Sequence, residues 1–103
     1  MPIVTLTGKM DGHYSTTVGG YNTAVGGQAL ALNQASGNVA VGFQASYANT
    51  TGFRNISIGY QAGYSNTTGS GNIAIGFQAL YTPTTGGNNI AIGELTLYAN
   101  TTG

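Results

Sequence analysis

An all-β fold, a parallel β-solenoid of about six short coils, is what this sequence predicts, and three observations lead to it. The first is a five-residue unit that returns at a fixed spacing, as Asn22-Thr23-Ala24-Val25-Gly26, Asn38-Val39-Ala40-Val41-Gly42, Asn55-Ile56-Ser57-Ile58-Gly59, Asn72-Ile73-Ala74-Ile75-Gly76 and Asn89-Ile90-Ala91-Ile92-Gly93. Its asparagines lie 16, 17, 17 and 17 residues apart, and a constant period of this size marks a repeat architecture. The second is the brevity of each unit, which leaves room for short strands and turns in every ~17 residues and for no helix or long hairpin. The third is composition. Of 103 residues 18 are Gly, only two are basic and two acidic, and 41% are apolar. Disordered chains combine low hydrophobicity with high net charge, and this chain has neither.

Residues 1–21 read as a degenerate N-terminal capping rung, of the kind repeat arrays use at their ends. Val4 and Leu6 alternate with threonines up to Gly8, like a first strand. Tyr14 and Gly19 stand before Asn22 at the offsets that Tyr47 and Gly52 hold before Asn55. Asp11-Gly12-His13 reads as the turn of this rung. Residues 22–103 form the repeats proper, one domain in all.

Within each repeat the first strand alternates β-branched and small residues, and a period of two places them on opposite faces. The larger residues are expected inside the coil, as two aliphatic core ladders: Val39, Ile56, Ile73, Ile90 and Val41, Ile58, Ile75, Ile92. The small column Ala24, Ala40, Ser57, Ala74, Ala91 is then expected to face outward, where another chain can approach closely. Gly42, Gly59, Gly76 and Gly93 end the strand at a tight corner. A second strand is expected over 42–47, 59–64 and 76–81, closed by Asn-Thr-Thr-Gly turns at 49–52, 66–69 and 100–103. Pro83 replaces the turn asparagine in one coil. Stacking aligns Gln44, Gln61 and Gln78, and the turn asparagines, into amide ladders, and Tyr47, Tyr64, Tyr81 and Tyr98 into an aromatic column.

Two aliphatics per coil make a small core for so glycine-rich a chain, since glycine loses the most backbone freedom on folding. A homo-oligomer, with three-fold symmetry as the leading expectation, is therefore predicted.

These repeats resemble the head repeats of YadA-like trimeric autotransporter adhesins. Runs such as Gly76-Phe77-Gln78-Ala79-Leu80-Tyr81 followed by Thr84-Thr85-Gly86 also resemble repeats of phage tail-fibre and other virion appendage proteins. The resemblance spans roughly residues 14–103. It implies a left-handed β-roll assembled as a homotrimer. The sequence has neither the secretion signal nor the coiled-coil stalk of the adhesins, which favours assembly in a host cytoplasm onto a virion surface. The expected function is thus a non-enzymatic virion structural protein, a capsid decoration (cement) protein or short spike of a bacteriophage, with a major capsid or other virion protein as partner. The alternative is a receptor- or glycan-binding adhesin or tail-fibre fragment at a cell surface. An ice-binding solenoid ranks third, because the adjacent threonines of each pair point to opposite sides.

Other function classes find little support. Zero net charge leaves no electrostatic footprint for nucleic acid or an anionic membrane, and no apolar run approaches the ~20 residues of a membrane helix. Lys9, Asp11, His13, Arg54 and Glu94 are too sparse for acid–base catalysis or a metal site, so no catalytic residue, metal or cofactor is expected. No phosphate-loop motif is present. Asn66-Thr67-Thr68 matches a glycosylation acceptor but reads as a turn. Tyr64, Tyr81, Tyr98, Glu94 and Leu95 are the candidate partner contacts: the tyrosines as an aromatic ladder, Glu94 as a charge blunting the last strand edge, and Leu95 as a docking point.

Overall fold

The computed structural model describes residues 3–5, 20–83 and 85–99. Six strands, β1 (Ile3–Thr5), β2 (Asn22–Val25), β3 (Val39–Val41), β4 (Ile56–Ile58), β5 (Ile73–Ile75) and β6 (Ile90–Ile92), form one parallel sheet in sequence order. Each repeat pairs in register with the next, so that Ala40 meets Ser57, Ser57 meets Ala74 and Ala74 meets Ala91. Parallel neighbours one repeat apart mean that the chain winds as a β-solenoid. Four complete coils connect β2 to β6. The β1 strand extends the sheet by pairing with β2, Val4 beside Thr23. Leu6, Tyr14, Gly19 and the Asp11-Gly12-His13 turn lie outside the described residues, as does the closing 100–103 turn.

The strand faces are the reverse of the sequence expectation. Ala24, Ala40, Ser57, Ala74 and Ala91 all point into the coil and are at most 3% exposed. Val39, Ile56, Ile73 and Ile90, with Val41, Ile58, Ile75 and Ile92, point outward, reaching 65% exposure at Ile90 and 63% at Ile92. The reason is the width of the coil. A second alanine column, Ala29, Ala45, Ala62 and Ala79, is fully buried behind the first. Ala24, Ala29, Leu30, Ala40 and Ala45 pack as one cluster, and Ala62, Ala74, Ala79, Leu80 and Ala91 as another. Two facing rows of methyl groups bring strand and opposite arm too close for a row of isoleucines between them.

That opposite arm is not the second strand expected from the sequence. It is a run of turns in which left-handed residues alternate with ordinary ones, at Gly42, Gln44 and Ser46 (φ 129, 54 and 50°) and again at Gly76, Gln78 and Leu80 (φ 130, 51 and 56°). The alternation sends successive N–H groups to opposite neighbours. Gln78 N–H donates back to Tyr60 O at 2.9 Å, whereas Leu80 N–H donates forward to Thr96 O at 2.9 Å. The arm is thereby cross-bonded to coils on both sides without being a β-strand. Gly76 turns the corner into it. A Cβ there would lie 2.7 Å from the Gly93 carbonyl carbon, so the glycines at this position stack backbone on backbone.

Buried amides take the place of a larger apolar core. Asn38, Asn55, Asn72 and Asn89 each donate their backbone N–H to the side-chain Oδ1 of the previous asparagine in the series, at 2.8–2.9 Å. The Asn38, Asn55 and Asn72 Nδ2 groups donate to Gly52, Gly69 and Gly86 O. The turn asparagines form a second buried ladder, Asn49 Nδ2 to Asn33 Oδ1 at 2.7 Å and Asn66 Nδ2 to Asn49 Oδ1 at 3.3 Å. The expected glutamine ladder is also present, on the half-exposed side of the arm, at 2.6–2.8 Å from Gln28 through Gln78. Hydrogen-bonded buried amides of this kind fix register, since a slip breaks the ladder.

Candidate functional site

The outward face of the sheet is the most distinctive surface of the molecule. Along it run Val39, Ile56, Ile73 and Ile90, and beside them Val41, Ile58, Ile75 and Ile92, in the parallel register set by the strands. Two residues further, past each corner glycine, come Phe43, Tyr60 and Phe77, all exposed. Their rings stack coil on coil, with centroids 5.5 and 5.3 Å apart. A soluble monomer rarely leaves a continuous apolar strip of this kind open to water. β-Branched side chains held by a sheet have little rotamer freedom left to lose, so covering this face is favourable at low entropic cost. The residues that the sequence placed in the coil interior are thus the ones available to a partner, and the small column is not.

The tyrosine column exists as expected. Tyr47, Tyr64, Tyr81 and Tyr98 stack with centroids 5.1–5.3 Å apart and planes within 9° of parallel. All but Tyr98 are half-buried. The second aromatic stack, Phe43–Tyr60–Phe77, is the more exposed of the two and is not among the contacts expected from the sequence. The signal for it was an aromatic residue directly after the corner glycine in three successive coils.

The last coil departs from the others. Glu94 takes the place of Phe77 and ends the outer aromatic stack. Leu95 takes the place of Gln78, keeping its left-handed backbone (φ 60°) and its N–H bond to Phe77 O at 2.9 Å. The glutamine ladder therefore stops at Gln78, and both Glu94 and Leu95 are exposed.

The titratable residues do not assemble into a reactive centre among the described residues. Glu94 and Arg54 are both exposed, and no group of three or more potential metal ligands is found among the described residues. Lys9, Asp11 and His13 lie outside them. Among the described residues no helix is long and apolar enough to cross a membrane.

Chemically, then, the surface offers flat apolar and aromatic area for association. Comparison with protein-family models, with curated proteins and with solved structures gives no match for this chain.

Proposed function

We propose that this protein is a non-enzymatic structural β-roll that assembles as a homotrimer through its outward aliphatic ladders. The observation that carries the proposal is the direction of Ile56, Ile58, Ile73, Ile75, Ile90 and Ile92, which leave the coil rather than fill it. A strip repeated at every coil of the solenoid can be matched in register by the same strip of another copy. Three copies turning their strand faces toward a common axis cover all the strips and close the assembly, as a cyclic arrangement requires. Homomeric interfaces are characteristically this apolar.

The similarity of the repeats to phage appendage and adhesin-head sequences supports a role on a virion surface, as a capsid decoration protein or a short left-handed spike. The parallel aromatic stacks support a second reading, a receptor- or glycan-binding adhesin or fibre segment, with Tyr64, Tyr81 and Tyr98 as its contacts. Mass spectrometry and electron microscopy of purified particles separate the two. A decoration protein is an abundant component bound to the capsid shell. Absence from particles together with direct binding to host cells favours the second reading.

A further inference from the structure

One residue in each coil, immediately before the ladder asparagine, has a left-handed backbone: Tyr21, Gly37, Arg54, Gly71 and Asn88, with φ of 59, 77, 58, 72 and 61°. Large residues and glycine alternate along this column, and the larger side chains lean over the glycine of the coil before. A Cβ on Gly37 would lie 3.6 Å from Arg54 Cγ, and one on Gly71 would lie 2.5 Å from Asn88 Oδ1. Gly71 lies in the lining of a surface groove of about 410 Å³, with Phe53, Arg54, Thr68, Ser70, Thr85 and Asn88 around it.

The groove's chemistry is selective. Arg54 is the chain's single arginine. Its guanidinium lies 5.7 Å from the centroid of the Phe53 ring, and no ion pair engages it among the described residues. The Phe53 N–H donates to Ser70 Oγ at 3.0 Å, which fixes that hydroxyl and leaves its own proton to donate. The remaining lining is hydroxyl and amide. A bare cation beside an aromatic plane and a row of neutral hydrogen-bonding groups suits a ligand with one oxyanion, several hydroxyls and an apolar face. The backbone at Arg54 also favours glycine, the residue found at two of the other column positions, so the arginine is held against local preference.

We infer that this groove binds an acidic sugar, its carboxylate or phosphate paired with the Arg54 guanidinium, its hydroxyls bonded to Thr68, Ser70, Thr85 and Asn88, and one ring face against Phe53.

The test is amide and arginine side-chain NMR of the full chain in its native oligomeric state, titrated separately with glucuronic acid, glucose 6-phosphate and glucose. Saturable shifts at Phe53, Arg54, Ser70 and Asn88 are expected with at least one of the acidic sugars. Which acid binds more tightly identifies carboxylate or phosphate as the recognised group. Glucose should bind at least about tenfold more weakly, the loss that follows from removing a charge-assisted pair. Arg54→Gly should abolish the shifts while leaving the melting temperature unchanged or higher, and Arg54→Gln should also abolish them. No saturable shift with either acid, equal binding of glucose, or retained binding in both variants would overturn the proposal.

Discussion

Pro83→Asn should stabilise this protein, although proline usually stiffens a turn to advantage. Pro83 stands one repeat after Asn66, at the position that continues the turn-asparagine ladder through Asn33, Asn49 and Asn66. Asn49 and Asn66 each donate Nδ2 to the Oδ1 of the asparagine before them in this series. At Pro83 the donor is missing, and Asn66 Oδ1 is a buried acceptor without a hydrogen-bond partner. Leaving a buried polar atom unsatisfied costs about 1–3 kcal/mol. Against the gain stands the loss of proline's restriction of the unfolded chain, about 0.4–1 kcal/mol. The net expectation is a stabilisation of about 1 kcal/mol, or roughly 4–8 °C in melting temperature for a domain of this size. Urea and thermal unfolding of Pro83→Asn beside Pro83→Ala provide the assay. The alanine restores only the backbone N–H, which at Asn49 and Asn66 donates to Ser46 and Gly63 O at 3.2 Å. A gain confined to asparagine supports the ladder account. Equal gains in the two variants, or a loss in Pro83→Asn, would refute it.

Three further predictions concern the coil interior and its outer face. Ser46 Oγ and Ser57 Oγ are buried and 2.6 Å apart, so Ser57→Ala should cost about 1–3 kcal/mol by stranding Ser46, and adding Ser46→Ala should recover most of it; additive losses in a double-mutant cycle would contradict the pairing. Ala74→Leu should overpack the narrow interior and cost about 1–3 kcal/mol or more, visible as a lowered urea midpoint, whereas wild-type stability would mean that Ala74 does not face inward. Ile75→Asp should leave the circular dichroism spectrum of the coil intact but dissociate the proposed trimer, because each copy would bury an unpaired carboxylate at the proposed interface; unchanged sedimentation would remove Ile75 from that interface.

Much of this architecture was legible because its signals are local. The corner glycines, the Asn-Thr-Thr-Gly turns and the amide ladders each depend on what one residue type does at one repeat position, and stacking multiplies the signal. The phase of the strand was not legible in the same way. Alternation in Ile73-Ala74-Ile75 defines two faces and is silent on which one is inside. That choice depends on coil width, which is set by the opposite arm, where Gln78 and Leu80 adopt left-handed backbone that neither residue type announces. One clue was present in the sequence. Ala45, Ala62 and Ala79 are a second column of small residues, and two small columns in one coil suit each other better than either suits isoleucine. The same difficulty hides the role of Asn22, Asn38, Asn55, Asn72 and Asn89, a largely buried ladder that links consecutive strands from β2 to β6. Ser57 is a further case. Its hydroxyl sits where Gly63 leaves room, a Cβ there falling 2.5 Å from Ser57 Oγ, so the one polar member of the alanine column is matched by the smallest residue beside it.

The central claim is that the aliphatic ladders lie outside the coil to be covered by other copies. The most direct test is the mass of the purified chain in solution by multi-angle light scattering. A species at three times the 10.4 kDa chain mass, converted to smaller species by Ile75→Asp, is the predicted result. A monodisperse wild-type monomer, stable with its Val and Ile strip open to water, would contradict the account.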